Sequence, residues 1–195
     1  ACCDVIIATK NSTIGVGGPA MIEGGGLGVY TPEEVGPMSF QVPNGVVDIL
    51  VEDEKEAVEK AKRYISYFQG NKSDWTSHEQ LILRHIIPEN RLRLYDMRKV
   101  IEVLADEHSV LEIREKFGIG IITALVRIEG RPIGVIANNP HHLSGAIDSD
   151  GADKGARFLK LCDAFDLPVL SLMDCPGLMV GPEVEATGLV RHAAR

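Results

Sequence analysis

The side chains that could carry out chemistry in this sequence are few and widely spaced. Cys175 could pair with His192 as nucleophile and base, but no neighbouring residue in the sequence would activate the thiol. His141 and His142 are adjacent, so in an extended segment they point in opposite directions, and no carboxylate lies at metal-ligand spacing. Neither a nucleophilic site nor a metal site is therefore predicted. The residues instead favour stabilisation of an oxyanion, such as a thioester enolate, by main-chain N–H groups.

Main-chain chemistry of that kind needs accessible backbone, and one segment is rich in glycine. Residues 11–37 contain eight glycines among twenty-seven residues, with prolines at positions 19, 32 and 37, which excludes a long helix or strand. Residues 15–20 loosely match G-x-G-x-x-A, but the later prolines and glycines disrupt a dinucleotide-binding unit. Two interpretations stay open: a glycine-lined surface for a ligand, or a bent structural connection.

A second candidate region is built by two apolar runs, 133–137 and 169–173, which flank a segment with helical period. This strand–helix–strand pattern predicts a right-handed βαβ unit with parallel, neighbouring strands. The loops 138–140 and 174–177 should then lie side by side at the carboxyl edge of the sheet, where ligands bind in α/β folds. Asp174 at this edge either binds a ligand or caps the following turn, and capping is the commoner role.

The other predicted elements complete an α/β chain. Strands are predicted at 3–8, 46–51, 111–113 and 121–129, and Glu129-Gly130 is predicted to turn the last of these into the run at 133–137. Asp53 and Asp96 are predicted to cap helices. The first helix has an apolar stripe of Ala57, Val58, Ala61, Tyr64, Ile65 and Phe68, and the βαβ helix has apolar positions at Ala152, Phe158, Leu159, Leu161, Cys162 and Phe165. Residues 70–93 are first polar, then form a short amphipathic patch and then contain a proline, and this change in composition predicts a domain junction.

Composition narrows the class of protein. The 195 residues are 45% hydrophobic and 25% charged, enough for a real core, and the net charge of −8 argues against a nucleic-acid or anionic-membrane surface. No apolar run approaches the ~18 residues of a transmembrane helix. The four cysteines lack zinc or disulfide spacing, which favours a reduced compartment. Both ends fall inside apparent elements, so the chain is expected to be a piece of a longer protein.

Several long motifs, in order, carry a family resemblance. The sequence resembles the carboxyltransferase (β) component of biotin-dependent acyl-CoA carboxylases, such as propionyl-CoA, methylcrotonyl-CoA and acetyl-CoA carboxylases. The matching segments are 3–28, 42–70, 88–106, 130–140, 145–185 and 191–192. One departure is Cys175, where relatives commonly have threonine or valine before the proline.

The resemblance implies a crotonase-like ββα superhelix in two incomplete, related domains. Residues 1–70 would be the later part of the N domain, on the acyl-CoA side; 71–91 would be a linker; and 92–195 would be the earlier part of the C domain, on the biotin side. It also implies a homo-oligomer with the active site at a subunit interface. Its partners would be biotin carboxylase and a biotin carboxyl carrier, with no nucleic acid and no membrane. Its location would be the cytoplasm or the mitochondrial matrix.

Site residues follow from the same resemblance. The acyl-CoA side would use Gly17, Gly18, Pro19, Ala20, Gly24 and Gly25, and the biotin side would use Asp174, Pro176, Gly177, Gly181, Asn138 and Pro140. The family's oxyanion-hole glycines would lie outside these residues, so no catalytic residue is assigned.

The implied reaction moves a carboxyl group from carboxybiotin to the α-carbon of an acyl-CoA, with biotin's ureido nitrogen taking the α-proton. A crotonase-type hydratase or isomerase is disfavoured, because Ala20 stands where such enzymes carry a glutamate. The chain could also be the carboxyltransferase subunit of a sodium-pumping acyl-CoA decarboxylase, or an inactive CoA-binding or scaffold fragment. Acyl-chain specificity is not predicted.

Overall fold

The computed structural model describes residues 3–90 and 92–195 and divides into two compact units, 1–61 and 62–195. This division reflects packing within the chain. The boundaries at 70 and 92, which concern the family's domains, stay a prediction.

The first unit is built on a short parallel pair of strands. Along the chain it contains β1 (Ile7–Thr9), α1 (Pro19–Gly24), α2 (Pro32–Val35), α3 (Met38–Gln41) and β2 (Ile49–Val51). Strands β1 and β2 pair in parallel, with Ile7 opposite Ile49, and the glycine-rich segment forms only short helices, as its composition predicts. A small core of Ala8, Met38, Val42 and Val47 lies beneath them.

Both strands are shorter than predicted because side chains and turns occupy the flanking N–H groups. The Asp48 carboxylate accepts the Ile6 N–H at 2.7 Å, so the ladder begins only at Ile7. On the other side the Val46 N–H donates to the Asn44 side chain and the Val47 N–H to the Gln41 carbonyl. The predicted starts at residues 3 and 46 were therefore wrong.

Helix α4 (Glu54–Ser66) begins as predicted: the Asp53 carboxylate accepts the Glu56 N–H at 2.9 Å. Its predicted apolar stripe was wrong in part, because Val58 and Ile65 are each 52% exposed. The packed side is set instead by Arg63 and Tyr67, which donate to main-chain carbonyls at residues 108–110. Residues 58 and 65 point away from that side, since both lie about half a turn from it.

The second unit is a four-stranded mixed sheet with helices around it. After α4 come a 3₁₀ turn, Gln80–Ile82, and then α5 (Leu83–Ile86), α6 (Met97–Leu104), β3 (Leu111–Glu112), β4 (Ile121–Ile128), β5 (Arg131–Asn138), a second 3₁₀ turn, Leu143–Gly145, α7 (Ser149–Ala164), β6 (Val169–Leu172), α8 (Pro182–Ala186) and α9 (Leu189–Ala193). The sheet order is β3-β4-β5-β6, antiparallel except for the parallel β5–β6 pair. The predicted βαβ unit is thus confirmed.

The predicted hairpin between β4 and β5 is also confirmed. Glu129 and Gly130 have φ values of 52° and 75°, as a two-residue type I′ turn requires. The buried Asp106 carboxylate accepts both turn N–H groups, at 2.9 and 2.7 Å. A side chain remote in sequence therefore reinforces the turn chosen by the glycine.

The two faces of this sheet are covered by different helices. Met97 and Ile101 of α6 pack on Ile122, Ala124, Val126, Val135 and Ala137. Because strand side chains alternate, Gly134 and Ile136 face the other side, where α7 packs closely. The apolar positions of the βαβ helix are not all buried: Leu159 in α7 and Phe165 just after it are 44% and 45% exposed, whereas Lys154 is buried. No helix in the described ranges is both long and apolar enough to cross a membrane.

Candidate active-site loops

The carboxyl ends of β5 and β6 bring two predicted site loops together. Ala137 lies opposite Leu172, so Asn138, the last residue of β5, and Met173, the first residue after β6, lie side by side at this edge. Gly145 approaches the second loop closely, because a Cβ there would lie 2.3 Å from the Asp174 carbonyl oxygen. The Asn138 amide donates to the Gly145 carbonyl at 3.0 Å, which holds Gly145 within the segment that follows β5.

The lower part of the 174–181 loop is also held by main-chain bonds. The Ile147 N–H donates to the Gly177 carbonyl at 3.1 Å, and the Met179 N–H donates to the Ile147 carbonyl at 2.9 Å. Gly177 and Gly181 have φ values of 130° and 127°, a region that favours glycine. A Cβ at either position would meet no atom within 4 Å, so the backbone there borders open space.

Asp174 makes a contact that the sequence did not predict. Its carboxylate accepts a hydrogen bond of 2.7 Å from the Tyr95 hydroxyl, across 79 positions of sequence. Burial, with the hydrogen bond and the negative charge of Asp174, raises the pKa of Tyr95 to about 12. The commoner expectation, that Asp174 caps the following turn, was wrong; a tyrosine orients its carboxylate instead.

The remaining predicted residues of this edge differ in their exposure to solvent. Pro140 is buried, and Pro176 is exposed beside Gly177. The neighbouring Asn139 uses its amide to donate to the Ile119 carbonyl at 2.8 Å. The loop after β5 is therefore a braced support, and the glycine-containing loop after β6 supplies the open surface.

The predicted acyl-CoA residues surround the start and end of α1. Gly18 precedes the helix without a side-chain cap, Pro19 occupies its first turn and Ala20 follows. A Cβ at Gly18 or Gly24 would meet no atom within 4 Å. Around them the apolar side chains of Val16, Met21, Leu27, Val29 and Tyr30 are exposed. The main chain and an apolar rim are accessible together in this unit.

The structure places Gly17 and Gly25 more tightly. A Cβ at Gly17 would lie 3.5 Å from the Met21 sulfur, and one at Gly25 would lie 3.3 Å from the Met21 carbonyl oxygen. Glycine at position 25 thus allows a close turn after α1.

The rejected nucleophile pair is not assembled. The Cys175 thiol lies 3.3 Å from the Gly177 carbonyl, while His192 Nδ1 lies 2.8 Å from the Asp153 carboxylate. His142 has a carboxylate partner that the sequence did not predict, because its Nε2 lies 2.8 Å from Asp148 Oδ2. Asp148 also caps α7 through the Gly151 N–H, so this pair ties the loop to the helix.

Sequence reasoning missed Tyr95 and the two aspartate–histidine pairs. The aspartates stand at the acidic start of α7, a pattern that the helix dipole alone can explain. Only Tyr95 had a positional signal, since it directly precedes Asp96, whose side chain caps α6 on the sheet. Within the described residues, no group of three or more His, Cys, Asp or Glu side chains could hold a metal ion.

Comparisons with known proteins converge on one kind of enzyme. The carboxyl transferase domain family matches residues 1–195. The chain is 37% identical over 205 residues to an uncharacterised carboxylase of Bacillus subtilis (strain 168), covering 100% of this chain and 40% of that protein. It is 34% identical over 203 residues to the propionyl-CoA carboxylase beta chain of Roseobacter denitrificans, covering 98% and 40%. The chain therefore spans about 40% of the length of these curated relatives.

Two solved structures are also similar. A single-chain, multi-domain long-chain acyl-CoA carboxylase matches with a TM-score of 0.97 and 56% identity, over 98% of this chain and 20% of that one. The hexameric transcarboxylase 12S, solved with hydrolysed methylmalonyl-CoA bound, matches with a TM-score of 0.85 and 31% identity, over 98% and 40%.

Proposed function

Because the chain belongs to the carboxyl transferase domain family and has the α/β, crotonase-like fold of its carboxyltransferases, we propose that it is part of a biotin-dependent acyl-CoA carboxylase. The reaction is transfer of a carboxyl group from carboxybiotin to the α-carbon of an acyl-CoA, through an enolate stabilised by main-chain amides. The supporting observation is the meeting of the 138–140 and 174–181 loops at the carboxyl edge of parallel strands, beside open glycine backbone.

The 174–181 loop fits the group it would hold. Biotin presents a polar cyclic urea fused to an apolar thioether ring. The loop offers the Asp174 carboxylate, open space over Gly177 and Gly181, and the exposed apolar side chain of Val180, and the exposed Met173 side chain directly precedes it. Bound carboxybiotin supplies the carboxyl group and, after its loss, a ureido nitrogen basic enough to take the α-proton. On this proposal Asn138, Pro140 and Pro176 shape the same subsite.

The acyl-CoA subsite is proposed on the glycine segment of the first unit. Gly17, Gly18, Pro19, Ala20, Gly24 and Gly25 would form its main-chain wall, which the exposed apolar rim supports. Glycine lets a thioester approach the backbone to hydrogen-bond distance. No acid–base side chain of this chain is required, in keeping with the absence of a catalytic assignment.

The assembly is part of the proposal. Carboxylated biotin would arrive on a carrier charged by a biotin carboxylase, and the active site would lie at a subunit interface of a homo-oligomer. The hexameric transcarboxylase 12S supports this arrangement, because it is a relative built as a multi-subunit core.

The test uses the full-length protein with its biotin carboxylase and carrier. Radiolabelled bicarbonate and ATP should label an acyl-CoA, with propionyl-CoA and longer acyl-CoAs tried in turn. Gly18→Val, which meets no atom of its own unit within 4 Å at the added Cβ, should raise KM for the acyl-CoA about tenfold and leave KM for the carrier unchanged. Glu59→Val, on exposed α4 surface, is the matched control. Failure to label any acyl-CoA would contradict the proposal.

A further inference from the structure

The hydrogen bond between Tyr95 and Asp174 joins a residue outside the predicted site to one inside it. Tyr95 lies just before Asp96, the cap of α6, and its partly buried ring packs against the core beneath the sheet. The phenol is thereby anchored, and its hydroxyl meets Asp174 Oδ2 at 2.7 Å. A rigid ring with a single hydroxyl is well suited to fixing the direction of another group.

The main chain of Asp174 is fixed as well. Asp174 follows the end of β6 by two positions, and its carbonyl oxygen lies against Gly145. A Cβ added to Gly145 would lie only 2.3 Å from that oxygen. Gly145 has a φ of 85° and is itself bonded by Asn138. Both the backbone and one carboxylate oxygen of Asp174 are therefore held.

The second carboxylate oxygen is left for a ligand. Asp174 is exposed, and within residues 3–90 and 92–195 no hydrogen bond is made by its Oδ1. An ionised carboxylate accepts hydrogen bonds only, so a ligand group at this oxygen must carry a donor. Of the groups that the proposed reaction brings to this loop, the cyclic urea has such a donor in the N–H that is not carboxylated.

We propose that Tyr95 is a positioning residue, which holds the Asp174 carboxylate so that its second oxygen accepts the ureido N–H of biotin bound at the 174–181 loop. This inference rests on the proposed function. A charge-assisted hydrogen bond from a pre-oriented acceptor is stronger than one from a carboxylate that must first be ordered. With a pKa near 12, Tyr95 keeps its proton, and so its donor role, throughout the neutral range.

The test compares single variants of the full-length protein in the transfer assay. Tyr95→Phe keeps the ring and its packing but removes the hydroxyl. It should raise KM for the carboxylated carrier about tenfold and leave KM for the acyl-CoA unchanged. The matched control is Tyr67→Phe, which removes a hydroxyl that donates to the Ser109 carbonyl away from the loop; it should leave both KM values unchanged.

A second measurement separates positioning from a loss of structure. Asp174→Asn alone and together with Tyr95→Phe should raise the carrier KM to the same value, because Tyr95 acts only through Asp174.

A biotin analogue methylated at the nitrogen that is not carboxylated should bind wild type weakly. Tyr95→Phe should lose most of that discrimination.

The outcomes distinguish the two proposals. An inactive wild-type protein would contradict the proposed function itself. An active wild type with an unchanged carrier KM in Tyr95→Phe, equal increases in both KM values, additive double-variant effects, or unchanged discrimination against the methylated analogue would each overturn the positioning role.

Discussion

Lys154 is a charged residue at a buried position of α7, where the helical pattern otherwise places apolar side chains. It is 1% exposed and shares the buried face of α7 with Phe158 and Cys162, and its Nζ has no hydrogen-bond partner in the part of the chain that is described. Burial lowers its pKa from 10.5 to about 8; the charges of Glu112 and Glu115 oppose this fall, and those of Arg98 and Arg114 add to it. The folded protein thus releases the Lys154 proton at a lower pH than the unfolded chain does.

We expect Lys154→Met to stabilise the protein near pH 7, because it removes a buried charge while keeping a side chain of similar length. A shift from 10.5 to about 8 corresponds to on the order of 3 kcal/mol, at about 1.36 kcal/mol for each pKa unit. Below pH 8 the wild-type lysine is charged in both states, so the full burial cost is present. The free energy of unfolding, measured in urea at pH 7, should rise by roughly 1–3 kcal/mol.

The lowered pKa of Lys154 also predicts how the stability of the wild type changes with pH. Between pH 8 and 10.5 the unfolded chain holds a proton on Lys154 that the folded chain has released, so the wild type gains stability as pH rises. The advantage of Lys154→Met should therefore shrink across this window. The control is Lys160→Met, at an exposed position of the same helix. A constant advantage from pH 7 to pH 10.5 would show that Lys154 does not titrate there.

The spacing of residues along the helix could have predicted that Lys154 is buried. It could not have predicted the contact between Tyr95 and Asp174. Residues 154, 158 and 162 are four apart, so the helical period puts the lysine on the buried face, and only its charge argued otherwise. Tyr95 and Asp174 are 79 positions apart. Their contact depends on where α6 packs against the sheet that contains β6, and no local sequence pattern specifies that packing.

The contact between α7 and the sheet depends on glycine in the strand. A Cβ at Gly134 would lie 2.5 Å from Cys162 Sγ and 3.3 Å from the Phe158 ring. Glycine lets the helix lie directly on β5, and the sulfur of a small buried cysteine fills the space that a side chain would take. The same approach brings Gly155 near Ile136, where a Cβ would be 3.3 Å from Cδ1.

Gly134→Ala should destabilise the protein by about 1–3 kcal/mol through overpacking. Adding Cys162→Ala should recover part of the loss, because it removes the atom that the new methyl would strike. Urea unfolding midpoints measure both effects. Gly24→Ala is the control, since a Cβ there meets nothing within 4 Å. Additive effects of the two substitutions would mean that the helix shifts away from the strand instead of meeting Cys162.

Helices and strands were predicted best where the apolar pattern covers the same residues as the hydrogen bonds of the sheet. The β4–β5 hairpin and the β5–α7–β6 unit combine apolar runs with clear turn and cap residues, and the structure confirms them. The starts of β1 and β2 were misplaced because Asp48 and Asn44 take main-chain N–H groups that an apolar run suggests are paired in a sheet. Apolar composition does not reveal such competition from nearby side chains.

At the scale of the molecule, the sequence predicted the family, which the comparisons confirm, but it did not predict the contacts that hold the loops. The chain covers about 40% of the length of these curated relatives. Order and length of motifs identify the family. The bracing of the loops, by Asn138, Gly145 and Tyr95, comes from contacts that only the folded unit displays.

One buried arginine of the second unit contacts three segments of the chain. Arg127 is 4% exposed and donates to the carbonyls of Ser66, Gly70 and Gly130 at 2.6, 3.0 and 2.6 Å. Its guanidinium also lies 5.5 Å from the centre of the Tyr67 ring. Five donors in a planar fork can join three segments in this way, whereas a lysine would reach them only as a point charge.

Arg127→Met should therefore destabilise the chain by roughly 3 kcal/mol, because it removes three hydrogen bonds made by one buried guanidinium. The Ser66 and Gly130 carbonyls still accept the Gln69 and Lys72 N–H groups, so the loss comes from the removed bonds and not from unpaired carbonyls there. Trp75, the one tryptophan, lies beside the turn at Gly130, so its fluorescence during urea unfolding reports on this region directly. Arg131→Met, at an exposed position on the adjacent strand, is the matched control and should change stability by less than about 0.5 kcal/mol. If both variants unfold at the wild-type midpoint, the three segments are held by apolar packing alone, and the arginine only fills space among them.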